Sequence, residues 1–302
     1  MVAGPLHAVR ERVRRPRVAA DGIAPAGVPE PPFPLPPARL VHVPGRGELF
    51  VRDTGEDDRP AVVLLHGWMF SADANWFTTY DAVRDAGYRV IAMDHRGHGR
   101  GLRTTEPFRL RDCADDVAAL LDVLEVERPL VVGYSMGGAI AQLLARHHGE
   151  RIAGIVLGAT ASDWQEPQMR LLWTTMAALR VLLGVAPEAF WRRGMRLFGA
   201  PDSATTTWIA TELTRGSARD MAEAGRELGR YDARPWLGEL ALPAATIVTV
   251  DDGAVPPRKQ RELAARVGGP VLEVPGDHGA VTNRAREFNV VLLSALAALG
   301  AD

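Results

Sequence analysis

The chain has 302 residues, a formal net charge of −2 and 47% hydrophobic residues. This apolar content suffices for a large buried core, so general disorder is excluded. The nearly balanced charge gives no electrostatic reason to expect nucleic acid as a partner. The one cysteine, Cys113, excludes an intramolecular disulfide, and no apolar run is long enough to predict a transmembrane segment.

The first 38 residues are predicted to form a tail and linker. Five arginines lie between Arg10 and Arg17, and seven prolines lie between Pro25 and Pro37. Proline at this density favours an extended chain rather than helix or central strand. Because no apolar segment follows the arginines, a secretory signal is not predicted, and we expect a cytoplasmic protein whose globular part begins near Arg39.

From residue 39 onward, strand patterns alternate with helix patterns. The expected strands are Leu40–Val43, Leu49–Asp53, Ala61–Leu65, Tyr88–Met93, Leu130–Val132, Ile152–Leu157, Ala245–Val250 and Val271–Val274. The expected helices of this part are Trp76–Ala86, Leu110–Leu124, Met136–His147, Arg258–Arg266 and Val281–Leu299. This alternation predicts the α/β class, with a mostly parallel sheet covered by helices on both faces. Functional side chains are then expected after the carboxyl ends of strands.

The interval 159–242 interrupts the alternation. Four helices are predicted there, at Gln165–Leu183, Glu188–Phe198, Ser203–Thr214 and Ala218–Gly229. Five of the seven tryptophans fall in the same interval. We therefore predict a helical cap inserted into an α/β core that is formed by residues 39–158 and 243–302.

Ser135 is the candidate nucleophile. It lies in Gly133-Tyr134-Ser135-Met136-Gly137, a G-x-S-x-G pattern between a predicted strand and a predicted helix. A sharp strand-to-helix turn raises the serine hydroxyl above the sheet. Because the turn is sharp, the residues two positions before and two positions after the serine must be small. The helix amino terminus beside the serine favours a developing anion.

His278 is the candidate general base, because it follows a predicted strand late in the chain. His66 also follows a strand, but we expect it to hold its loop through hydrogen bonds. Asp94, His95 and His98 superficially suggest a metal site. Arg96 between them would repel a cation, so no metal and no other cofactor is predicted.

Asp251 and Asp252 are rival candidates for the acid of a Ser–His–Asp arrangement. Asp252 is favoured, because the spacing from Asp252 to Val255-Pro256 is the more suitable. The chain order serine, acid, histidine is the order expected for this motif. An oxyanion needs two donors. We assign them to the backbone N–H groups of Trp68 and Met136.

Together these motifs resemble the α/β-hydrolase fold family over about residues 39–300. The matching segments are Leu64-Leu65-His66-Gly67-Trp68, Asp94-His95-Arg96-Gly97-His98-Gly99, Gly133–Gly138, Asp252-Gly253-Ala254-Val255-Pro256 and Gly276-Asp277-His278. The resemblance implies an eight-stranded sheet whose first strand is antiparallel, and a Ser–His–Asp triad. Gly101 and Thr249 depart from the residues common in relatives, and neither is expected to touch the chemistry.

The predicted reaction is hydrolysis of a small-molecule carboxylic ester, with a hydrophobic acyl or alkyl group, through an acyl-enzyme on Ser135. Tyr134, Trp173 and Met176 are the candidate substrate-binding residues. The apolar residues of the cap either line a pocket for an apolar ester or simply bury one face of a helix. Three alternatives stay open, namely a cofactor-free perhydrolase, a carbon–carbon bond hydrolase, and a non-catalytic protein that binds a ligand.

Overall fold

The computed structural model describes residues 30–197 and 201–300. The strands of these ranges, β1 to β8, are Ala38–Val43, Gly47–Asp53, Ala61–Leu65, Arg89–Met93, Leu130–Tyr134, Gly154–Gly158, Ala244–Thr249 and Val271–Val274. They form one sheet in the order β1-β2-β4-β3-β5-β6-β7-β8. The predicted tail lies, up to residue 29, outside the described residues.

The sheet is parallel from β3 to β8, as the alternation of strands and helices predicts. The strand that runs opposite to the others is β2, which pairs antiparallel with both β1 and β4. The expectation that the first strand is the antiparallel one is therefore wrong. The reason is local, because a tight turn closed by Arg46 N–H and Val43 O joins β1 to β2 as a hairpin.

Helices cover both faces of the sheet. In the described residues, α1 to α12 are Ala72–Trp76, Tyr80–Asp85, Leu110–Val123, Met136–His148, Pro167–Thr174, Met176–Val185, Pro187–Leu197, Ala204–Leu213, Ala218–Arg230, Pro257–Val267, Ala280–Asn283 and Ala285–Leu299. On one face α3, α4 and α10 contribute to the core, and on the other α1, α2 and α12 do. None of these helices is both long and apolar enough to cross a membrane.

The central strands are buried on both sides. Along β3, Val63 and Leu65 pack into one core, and Val62 and Leu64 pack into the other. All four side chains are fully buried. Continuous apolar runs of this kind are typical of parallel strands covered by helices on both faces. The sheet is thus a rigid platform for the loops that follow its strands.

In the described part of the interval between β6 and β7 there are five α-helices, α5 to α9, rather than the four predicted. The predicted helix Gln165–Leu183 is divided at Thr175, which ends α5 and precedes α6. Thr174 and Thr175 each donate a side-chain hydrogen bond to the carbonyl three residues earlier, at 2.7 Å. Such bonds compete with regular helix geometry. Phe198, the expected end of another cap helix, lies outside the described residues.

Two further predicted helices are also divided. Trp76–Ala86 corresponds to the end of α1 and to α2, and Val281–Leu299 corresponds to α11 and α12 with a break at Arg284. Before β1, the Phe33 ring stacks on Phe77 at 4.6 Å and meets the edge of Trp208 in α8. The chain therefore already packs on the fold several residues before the first strand begins.

Candidate active site

Ser135 lies in the turn that joins β5 to α4. Its backbone has φ 54° and ψ −118°, a conformation that non-glycine residues rarely adopt. A Cβ built at Gly133 would lie 2.3 Å from Gly137 O, and one built at Gly137 would lie 2.1 Å from Leu65 O. Only glycine fits at these two positions, so the G-x-S-x-G spacing follows from steric contact with the main chain.

The structure brings His278 to Ser135. The Nε2 atom of His278, in the loop after β8, lies 3.0 Å from Ser135 Oγ. The His278 side chain is about one-third exposed (32%), so solvent and small molecules can reach it. This is the distance that transfer of a proton from a serine to a base requires.

The side chain of Tyr134 lies in the core and not in a position where it could bind substrate. Its ring is buried in the core, with edge contacts to Trp76 and Phe288. Its hydroxyl donates a hydrogen bond to His278 O at 3.0 Å. The predicted contact with substrate is therefore corrected, because the side chain of Tyr134 points beneath the site and supports the histidine loop.

Asp252 is the carboxylate that faces His278, with Oδ2 2.8 Å from Nδ1. Its other oxygen accepts the backbone N–H groups of Ala254 and Val255, both at 2.8 Å. Asp252 is buried, whereas its rival Asp251 is exposed and accepts a hydrogen bond from the backbone N–H of Gly276 in the histidine loop. The geometry thus distinguishes Asp252 from Asp251 as the partner of His278, whereas the sequence spacing favoured Asp252 only slightly.

Two residues support Asp252 in a way that the sequence did not predict. Thr249 donates its hydroxyl to Asp252 Oδ2 at 2.8 Å, and Gln260 of α10 donates its side-chain amide to the same atom at 3.2 Å. The expectation that Thr249 stands apart from the chemistry is therefore wrong. No sequence signal identifies Gln260, because a glutamine in a polar helix has the pattern of an exposed residue.

The loop after β3 approaches Ser135 from the other side. A Cβ built at Gly67 would lie 3.4 Å from Ser135 Cβ. The backbone N–H of Trp68 has no acceptor among the described residues, and that of Met136 belongs to the first residue of α4, where helix N–H groups lack intrahelical acceptors. Both predicted oxyanion donors are thus available to a ligand.

The Gly67 peptide groups are held by two buried side chains. His66 Nδ1 donates to Gly67 O at 2.8 Å, and Gly67 N–H donates to Asn75 Oδ1 at 3.0 Å. His66 Nε2 accepts the N–H of His95 at 2.9 Å, so its hydrogen bonds fit one neutral tautomer. Both ring nitrogens of His66 are thus engaged in holding the loop, and Asn75 is a second supporting residue that the sequence did not reveal.

His95 and His98 lie beside His66, with ring centroids 4.3 Å and 5.6 Å from it. Burial lowers the pKa of His66 to about 4 and that of His98 to about 3, and it places the pKa of His95 well below its ordinary value. Arg96 pairs instead with Asp116, at 2.7 Å. Within the described ranges, no group of three or more His, Cys, Asp and Glu side chains is arranged to hold a metal ion.

Trp173 and Met176 lie at the junction of the cap and the loop after β3. The Trp173 ring meets the edge of the Trp68 ring, with centroids 5.4 Å apart. Trp173 is half-buried, whereas Met176 is fully buried against α9. Of the two predicted binding residues, only Trp173 therefore keeps a surface that a ligand could touch.

Comparison with known proteins agrees with this architecture. A family profile described as alpha/beta hydrolase fold matches residues 60–180. The bromoperoxidase from Bacillus anthracis superimposes with a TM-score of 0.75 at 23% identity, over 86% of this chain and 99% of that one. At that identity the similarity establishes the fold alone.

Two relatives match over most of their length. A 3-oxoadipate enol-lactonase of Acinetobacter baylyi is 27% identical over 78% of this chain and 88% of its own. A protein of Variovorax paradoxus that carries the name carbamate hydrolase RutD is 30% identical over 82% of this chain and 95% of its own. With the sheet order described above, these similarities show that the chain belongs to the α/β-hydrolase fold family.

Proposed function

We propose that this protein hydrolyses carboxylic esters through a covalent acyl-enzyme on Ser135. The observation that carries the proposal is the continuous hydrogen-bonded chain from Ser135 Oγ through His278 to Asp252, with distances of 3.0 Å and 2.8 Å. Such a chain activates a serine hydroxyl that is otherwise a weak nucleophile.

In the first step His278 Nε2 accepts the Ser135 proton while Oγ attacks the ester carbonyl carbon. The developing oxyanion accepts hydrogen bonds from the backbone N–H groups of Trp68 and Met136. His278 then returns the proton to the leaving alcohol, and an acyl group stays on Ser135. Water, activated by the same histidine, releases the carboxylic acid and restores the serine.

Asp252 fixes the histidine in this cycle. Its Oδ2 atom accepts a hydrogen bond from the Nδ1–H group, so the other ring nitrogen is free to accept the serine proton. Four further donors hold the carboxylate, from Thr249, Ala254, Val255 and Gln260. These bonds keep its orientation constant while the imidazole gains and loses a proton.

We infer an ester with an apolar acyl or alkyl group as the substrate. The half-buried indoles of Trp68 and Trp173 lie next to the site and offer an apolar surface. A lactone is a second candidate, favoured by the similarity to an enol-lactonase, because a lactone is a cyclic ester that needs the same attack and the same oxyanion donors. A series of p-nitrophenyl esters from acetate to octanoate, with a simple lactone beside it, separates these substrates. A steep preference for acetate over octanoate would contradict the apolar site.

The nucleophile is tested with Ser135→Ala. We expect labelling by a fluorophosphonate in the wild type and none in the variant, together with loss of nearly all ester turnover, on the order of 10⁶-fold in kcat. Circular dichroism and Tm of the variant should match the wild type. If Ser135→Ala keeps wild-type turnover of p-nitrophenyl acetate, the proposed function is wrong.

A further inference from the structure

The oxyanion loop, residues 66–70, contains a strained turn. Phe70 N–H donates to Gly67 O at 3.3 Å, which closes a four-residue turn with Trp68 and Met69 at its centre. Met69 has φ 66°, in the left-handed region that favours glycine. A non-glycine residue persists there only where its surroundings fix it. The turn therefore depends on contacts from outside itself.

The core fixes only the first half of the turn. His66 and Asn75 hold the carbonyl and the N–H of Gly67. The Gly67 carbonyl and the Trp68 N–H belong to one planar peptide group. The hydrogen bond from His66 to Gly67 O therefore restrains the N–H that the proposed function assigns to the oxyanion, but it acts at one end of this peptide group only. The other end is the Cα atom of Trp68, which the Trp68 side chain holds in place.

The cap holds that side chain. Trp68 Nε1–H donates to the Met221 carbonyl of α9 at 2.8 Å, a contact between residues 153 positions apart. The Trp173 ring of α5 meets the same indole at an interplanar angle of 65°. One direct hydrogen bond and one aromatic contact thus join two cap helices to the residue that carries an oxyanion donor.

Gly225 in the middle of α9 indicates how closely the two parts fit. A Cβ at this position would lie 2.8 Å from Trp68 Cζ2 and 2.3 Å from Met176 Sδ. Glycine inside a helix reduces its stability, so its presence here calls for a packing reason. The missing side chain provides the space in which the Trp68 indole lies against α9.

From these contacts we propose that the cap positions the oxyanion donor through Trp68, and that the cap therefore acts on the chemical step itself. Trp68 has two roles in this arrangement. Its backbone N–H binds the oxyanion, and its indole connects the loop to α9. The inference rests on the proposed function of the site. The inference goes beyond that function. If the cap only selected substrates, changes in the cap would leave kcat unchanged for an ester that is too small to contact it.

The test uses p-nitrophenyl acetate and two variants that disturb the connection. Trp68→Phe removes the indole N–H and keeps an aromatic ring, whereas Gly225→Ala displaces the indole from α9. We expect kcat to fall about 10-fold in each, with KM changed by less than about twofold, because a small displacement of a catalytic donor acts mainly on the transition state. Gly184→Ala in α6 is the matched control, because a Cβ there meets no atom within 4 Å.

A second readout separates donor position from general instability. The inhibition constant of a small trifluoromethyl ketone, which forms a tetrahedral oxyanion on the serine, should rise in proportion to the loss of kcat/KM. In ¹⁵N spectra, the Trp68 indole signal, assigned by its absence in Trp68→Phe, should lose its hydrogen-bonded shift in Gly225→Ala.

Wild-type kcat and wild-type inhibition constants in both variants would overturn the proposal. An equal loss of kcat in Gly184→Ala would overturn it as well, because the effect would then not pass through Trp68. A wild-type protein that neither reacts with a fluorophosphonate nor hydrolyses any ester refutes the proposed function itself. That result is distinguishable, because it appears before any variant is made.

Discussion

The α/β core and the helical cap differ in how completely they bury their apolar side chains. In the core, every residue of β4, β5 and β6 is buried. In the cap, α6 is apolar on both sides, so Val181, Leu182 and Val185 stay 54 to 80% exposed while Met176 and Leu183 are buried. The core thus holds its loops rigidly, whereas part of the cap packs on the protein through one side only.

The cap itself has two unequal parts. Its α8 and α9 helices are anchored, since Glu212 is buried against Arg100 of the core and Trp68 bonds to α9. None of the residues of α7, Pro187–Leu197, is buried. This difference indicates that the proposed reacting groups belong to the buried core, and that the cap acts on them through α5 and α9, the two helices that contact Trp68.

After the loss of Ser135 itself, the largest expected effect concerns the carboxylate in the core. Asp252→Asn keeps the shape of the side chain but disfavours the histidine tautomer that accepts the serine proton, so kcat should fall about 10⁴-fold. The neighbouring Asp251→Asn changes an exposed residue, and kcat should fall less than about threefold. Steady-state kinetics on one ester measures both, and similar losses in the two variants would refute the assignment of the acid.

A smaller effect should divide the cap in two. Glu212→Ala removes the hydrogen bonds that Arg100 and Arg215 donate at 2.9 Å and 2.8 Å together with the packing of a buried side chain, and this loss should reduce the free energy of unfolding by about 2 to 3 kcal/mol. Glu188→Ala in α7 disturbs an exposed pair with Arg192, worth less than about 0.5 kcal/mol. Urea unfolding of both variants measures the difference. Equal changes would mean that the cap is anchored uniformly.

The third expected effect is the acid sensitivity of the core. The folded pKa values of His66 and His98 are about 4 and about 3, below their ordinary 6.5. Below pH 6.5 the unfolded chain therefore binds more protons, and the free energy of unfolding falls until pH reaches those folded values. Between pH 7.5 and 5, His66 alone should contribute a loss of about 2 kcal/mol.

Urea unfolding at the two pH values measures this loss. The exposed His42, which pairs with Glu48 at the surface, is the control residue, and His42→Gln should keep the same pH dependence as the wild type. A stability that is constant from pH 7.5 to 5 would mean that the buried histidines are not the acid-sensitive element of the core.

Much of the fold was predictable because its causes are local. The predicted strands Ala61–Leu65 and Val271–Val274 have the same bounds as β3 and β8 of the structure. The helix breaks at Thr175 and Arg284 were not predictable from periodicity, which continues through both positions. There, side-chain hydrogen bonds and the approach of other segments outweigh the pattern of apolar residues.

The sequence by itself determined the class of fold, the position of Ser135, and the chain order of Ser135, Asp252 and His278. The reason is that apolar runs identify the strands locally, and that the main chain around the strand-to-helix turn leaves room only for glycine at positions 133 and 137, which makes the turn visible as a short pattern. Only the tertiary structure decided that Thr249 and Gln260 hold the acid, that Tyr134 supports the histidine loop, and that Trp68 bonds to α9. These contacts join residues from separate helices and loops. Which side chains meet depends on how whole elements pack, and no short sequence pattern records that packing.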